Sequence, residues 1–131
     1  MARTVLPHGS DGHVLLLDSI AEILPEDAGW LVISGSHGGI SAAQFAVAVQ
    51  LRGCFLNDAG LGKDNAGIAG LALLAYPAAA YSHSSARIGD AADAWANGVL
   101  THITAAGRAV GWREGMSVRG AAAMLRQFRP V

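Results

Sequence analysis

Lys63 is the only lysine in the chain, and every other basic side chain is an arginine. It stands between Gly62 and Asp64 in the run NDAGLGKDNAG, residues 57–67. An ammonium in a glycine-rich loop can hold an anionic group. Desolvated, it can also act as acid, base or amine nucleophile. Asp58 opens the same run directly behind a short apolar stretch, a position from which a carboxylate meets a ligand. Asn57 beside it suits orientation of a substrate carbonyl or closure of a turn. Asp64 suits a ligand contact or a helix cap.

Two further loops carry chemistry-bearing side chains. In SGSHGG, residues 34–39, Ser36 and His37 stand before Gly38 and Gly39, whose backbone N–H groups can approach a ligand closely. In SHSSARIGD, residues 82–90, His83, Ser84 and Ser85 are followed by Arg87, whose fork fits a carboxylate or phosphate. The expected catalytic set is Lys63, Asp58, His37, His83, Ser84 and Ser85. Arg87, Ser36, Gly38, Gly39, Asn57, Gly62 and Asp64 are expected to bind substrate. His102 is expected to serve packing or a subunit contact. Cys54 reads as a small buried hydrophobe.

Established motifs do not fit. GLGKDNAG lacks the leading glycine of a P-loop, and Asp64 replaces its serine or threonine. GSHGG places His37 where a dinucleotide-binding fingerprint needs glycine. No G-x-S-x-G elbow is present. His37, Asp58 and His83 could meet at a metal in space, but no local ligand pair supports one. The expectation is therefore no metal and no cofactor.

Elements must bring these loops together. Residues 30–34, 54–56 and 78–82 read as short buried strands, each followed by one of the three loops. Residues 13–17 read as a strand, or as the start of a helix running to Leu24. Helices are expected over residues 41–51, 66–75, 90–110 and 118–128. The third is the clearest, with Trp95, Val99, Ile103, Ala106 and Val110 on one stripe. Residues 1–12 read as irregular. Alternation of strands and helices implies a small three-layer α/β sandwich, with a mostly parallel sheet of three to four strands. Ligands of such sheets bind outside the carboxyl ends of the strands.

The chain of 131 residues fits a single domain, 1–131. Net charge is −1, with no basic stripe, which argues against nucleic acid. No apolar run is long enough to span a membrane, and no N-terminal signal core is visible. A cytoplasmic location is expected. Apolar residues make up 52% and charged residues 15%, low enough in charge to suggest a homo-oligomer. The function these features suggest is an enzyme acting on a small anionic or carbonyl-containing metabolite. Hydrolysis of an amide-like bond leads, a lyase or isomerase reaction being the near alternative. A non-catalytic ligand-binding or accessory subunit is the reading from a different class.

Overall fold

The computed structural model describes residues 3–6 and 14–125. Six strands form one mixed sheet: β1 (Arg3–Leu6), β2 (Val14–Leu17), β3 (Leu31–His37), β4 (Gly53–Asn57), β5 (Ala78–Tyr81) and β6 (Leu100–Ile103). They lie in chain order across the sheet. The four central strands are parallel. β1 and β6 pair antiparallel at the two edges. The helices are α1 (Ile40–Val47), α2 (Ala91–Asn97), α3 (Ala105–Ala109) and α4 (Val118–Leu125).

Side chains alternate across the sheet, so its two faces carry separate cores. Val14, Leu16, Ile33, Phe55 and Tyr81 pack under α2 and α4, with Trp112 wedged among them. The Trp112 ring stacks on Phe55 with centroids 4.6 Å apart, and its Nε1–H donates to the Ala121 carbonyl. Leu15, Leu17, Val32, Leu56 and Ala80 pack on the other face against α1 and 3₁₀ turns. The small residues of β5, Ala78, Ala79 and Ala80, are wholly buried and let both layers approach closely.

The α/β sandwich is as expected, but the sheet is larger than three to four strands. Residues 3–6, read as irregular, form β1. Its Arg3 guanidinium grips the buried Asp27 carboxylate with two hydrogen bonds, tying the edge strand to the loop before β3. The helix expected over 90–110 breaks into α2, β6 and α3. Gly98 leaves helical geometry, at φ −61° and ψ 137°. The β-branched stretch after it then pairs with β5, covering backbone groups that would otherwise form an open edge.

The helix expected over 66–75 is absent too. A turn over 66–70 and the 3₁₀ turn Leu71–Leu73 take its place, directly after a 3₁₀ turn at Lys63–Asn65. α1 ends before the predicted Leu51, and Gly53 begins a strand rather than stopping a helix. Residues 14–17 are a strand, followed by a 3₁₀ turn at Ile20–Glu22 that Ser19 caps. The helix starts at Asp90 and Ser117 are as expected. The Asp90 carboxylate accepts from the Asp93 N–H, and the Ser117 hydroxyl from the Gly120 N–H. Residues 126–128 of the last expected helix lie outside the described residues.

Candidate functional site

The parallel strands deliver all three glycine-rich loops to one edge of the sheet. His37 is in register with Asn57, and Asn57 with Tyr81, so the three loops leave neighbouring strand ends. Neighbouring strands are about 4.8 Å apart. Backbone contacts then lock the loops together. The Gly38 N–H points at the carbonyls of Asn57 and Gly67, and the Gly89 N–H donates to the Gly35 carbonyl. These contacts need glycine. A Cβ on Gly67 would lie 2.1 Å from the Asp58 carbonyl oxygen, and one on Gly35 would lie 2.6 Å from backbone atoms of Gly89 and Asp90.

Asp58 is the buried centre of this edge, 6% exposed. Its Oδ1 accepts from the Gly60 N–H, the His83 N–H and His83 Nδ1, at 2.9, 3.0 and 3.1 Å. Its Oδ2 accepts from the Thr101 hydroxyl at 3.0 Å. Burial pushes the Asp58 carboxyl up. The donors from Gly60, His83 and Thr101 outweigh that, and the net result lies below its ordinary value. An ionised carboxylate only accepts, so His83 carries its proton on Nδ1. The exposed Nε2 of neutral His83 is then a lone-pair base.

His37 is fixed the other way round. Its Nδ1 accepts from the Gly39 N–H at 2.9 Å, so the neutral ring carries its proton on Nε2. Two histidines, one ending β3 and one following β5 with β4 between them, thus present opposite functions, one an acceptor and one a donor.

The loop that holds Asp58 is bent to an unusual degree. Ala59, Gly60, Leu61, Gly62, Asp64 and Asn65 all have φ between 53° and 73°. For the four that are not glycine, this conformation costs on the order of 1 kcal/mol each. Lys63 sits in the middle of that run. It is exposed and makes no ion pair among the described residues. Asp64, at φ 55°, lies inside a kinked 3₁₀ turn and caps no α-helix.

The remaining expected residues divide between brace and surface. Asn57 is wholly buried, its amide donating to the Ala86 carbonyl and its oxygen accepting from the Ala59 N–H. The Ser36 hydroxyl accepts from the Ile20 N–H. The Ser85 hydroxyl bridges the Ser82 carbonyl and the Val99 N–H. Ser84 is exposed, its hydroxyl 2.6 Å from that of Ser82. Arg87 is exposed, its charge within electrostatic reach of Asp93, to which its backbone N–H donates. Gly62 is exposed at the loop tip. Among the described residues, no hydrogen bond joins the Lys63 or Arg87 side chain to Asp58 or the histidines. No group of three or more His, Cys, Asp or Glu among them is placed to hold a metal. Cys54 is completely buried and its thiol is pushed up to about 12, so it is inert.

Thr101 is the site residue that sequence reasoning missed. It was hidden inside the expected helix 90–110. The Asn97–Gly98 dipeptide, a turn signature followed by the β-rich run VLTHIT, marks the break.

Comparison of the chain with protein families, with curated proteins and with solved structures gives no match. Among the described residues, no helix is long and apolar enough to cross a membrane.

Proposed function

We propose that the protein is a small-molecule hydrolase that cleaves an amide-like bond, with His83 as general base and Asp58 as the group that orients it. The observation that carries this reading is the Asp58–His83 pair, a buried, four-fold hydrogen-bonded carboxylate behind a half-exposed imidazole. In the proposed reaction His83 Nε2 takes a proton from water as its oxygen attacks the substrate carbonyl carbon. His37 Nε2–H donates to the carbonyl oxygen as charge develops there. The proton on His83 then passes to the departing amine, leaving a carboxylic acid and an amine. Asp58 stays ionised and holds the His83 tautomer, rather than transferring protons itself.

Lys63 and Arg87, exposed cations on the loops that carry Asp58 and His83, would hold an anionic part of the substrate. Ser84 is available as a hydrogen-bonding group or as the nucleophile in place of water. Ser36, Ser85 and Asn57 brace the loops in this scheme. The reaction needs no metal or cofactor, and we place it in the cytoplasm.

Self-association rests on α1. Ile40, Phe45 and Val47 leave about half their surface exposed on this helix, 54%, 48% and 51%. Ile40 and Val47, seven residues apart, share one face of the helix, and that face would suit a partner if the chain were an accessory subunit. A panel of small amides and carboxylates, followed by NMR for both turnover and binding, tests the reading. The expected result is release of a carboxylate that His83→Gln and Asp58→Asn both abolish. Binding without turnover by the isolated chain would replace the hydrolase with the accessory reading.

A further inference from the structure

Thr101 does more than support Asp58. Its one hydroxyl proton goes to Asp58 Oδ2, so its oxygen must accept from His102 Nδ1, 3.1 Å away. His102 therefore carries its proton on Nδ1, and its Nε2 is left without a partner among the described residues. A chain of three hydrogen bonds thus runs from His83 through Asp58 and Thr101 to His102.

His102 lines a groove of about 610 Å³. Leu71, Ala72, Ala75 and Ile103 form its apolar walls, and Arg108 and Glu114 stand at its rim. Leu56, Ala80 and His102 are aligned across β4, β5 and β6. Asp58 follows Leu56 by two residues and so lies toward the same face of the sheet. The groove and the Asp58 centre are neighbours on one surface, joined by Thr101. The volume falls within the range of pockets that enclose small ligands, about 300–1,000 Å³. Arg108 and Glu114 pair with each other, so the rim offers no unbalanced charge.

We infer that this groove takes the uncharged apolar arm of the substrate whose polar end meets His83 and His37, with His102 Nε2 accepting one hydrogen bond from it. This rests on the site reading above. The substrate class narrows to amides with an extended hydrocarbon or aryl arm. A second groove, about 370 Å³ beside Ile23, Pro25 and Phe45, has no such connection to Asp58 and serves as the internal control.

The test is NMR of the imidazole and methyl resonances of the full chain, titrated with 4-phenylbutyramide and with acetamide. The phenyl-bearing amide should bind about tenfold tighter or more, because its arm leaves water. It should shift His102, Ala72 and Ile103 together with His83. Acetamide should shift His83 and His37 and leave His102 unmoved. Ala75→Trp and, independently, Ala72→Trp should remove the preference for the longer amide while leaving the acetamide shifts at His83. Melting curves should confirm that each variant is folded. Equal affinity for the two amides, or shifts confined to Phe45 and its neighbours, overturns the groove assignment. Saturable shifts at His102 without turnover of either amide overturn the hydrolase reading alone and leave the groove standing.

Discussion

Two aspartates are buried among the described residues, one at each end of the parallel strands, and they are held in opposite ways. Asp27, in the loop before β3, is 2% exposed and both its oxygens face the Arg3 guanidinium. Its Oδ2 also accepts the Leu24 N–H. The charge is met by a permanent cation, and nothing in the arrangement can move a proton. Asp58, after β4, is nearly as buried but faces no permanent cation among the described residues. Backbone N–H groups, a hydroxyl and one imidazole satisfy it, and that imidazole is 59% exposed. The buried carboxylate that a titratable donor connects to solvent is the one to which we assign a role in the proposed reaction.

The largest effect should separate the two ends by backbone alone. Gly67→Ala places its Cβ 2.1 Å from the rigid Asp58 carbonyl, whereas Gly29 near Asp27 has open space around it. Gly67→Ala should cost about 3 kcal/mol or more, in the range of severe overpacking. Gly29→Ala, strained only by its φ of 83°, should cost about 1 kcal/mol. Urea melts would show the gap, and equal costs would mean that the loop over Asp58 is not tightly packed.

Next, Asp27→Ala strips a buried partner from the partly exposed Arg3 and should cost about 2 kcal/mol without touching ligand binding. Asp58→Asn keeps the shape and should cost about 1 kcal/mol, yet abolish activity. The reverse pattern, in which Asp27 governs activity, would sink the contrast.

Acid should act on both ends alike. Burial pushes the Asp27 carboxyl up, but Arg3 and the Leu24 N–H bring it below its ordinary value, as the donors around Asp58 do there. A depressed folded pKa gives stability that is full above the unfolded value, about 3.9, and lost as pH falls through the lower folded value. Stability should therefore decline below about pH 4, and Asp58→Asn should flatten part of that decline. An unchanged profile in both Asp58→Asn and Asp27→Asn would show that neither carboxylate is held as described.

The smallest change in stability belongs to Lys63→Met, within about 0.5 kcal/mol, since the side chain is exposed and unpaired. Ligand binding should nevertheless weaken. A variant that binds and turns over substrate like the parent would remove Lys63 from the site.

Reading residues in order located the strand ends well and the helices poorly. WLVIS and CFL are short, apolar and bounded by turn residues, so their burial in a parallel sheet is written locally. The loops behind them follow directly, and with them Asp58 and His37; His83 follows the alanine-rich strand Ala78–Tyr81 in the same way. The stripe Trp95, Val99, Ile103 has helical spacing but belongs to a helix, an isolated β-bridge to Ser117 and a strand. Periodicity there was outweighed by Gly98 and by pairing with β5, a tertiary contact that no local pattern encodes. The left-handed run at 59–65 was equally hidden, since Ala59 and Leu61 have no preference for that conformation. Lys63 was conspicuous as the sole lysine, whereas Thr101 had no distinction of type and became visible only through its bond to Asp58.

The order of the strands has a consequence for how the molecule assembles. Because spatial order repeats chain order, every strand docks beside the one made just before it. No segment has to wait for a distant partner or thread between two already formed. Closing short loops in succession carries a smaller entropic penalty than closing one long loop first, so the sheet can grow outward from β1 and β2 during synthesis. The growing margin stays parallel up to β5. Reversal of the chain at Gly98 then lays β6 against it, and the last strand added ends the growth.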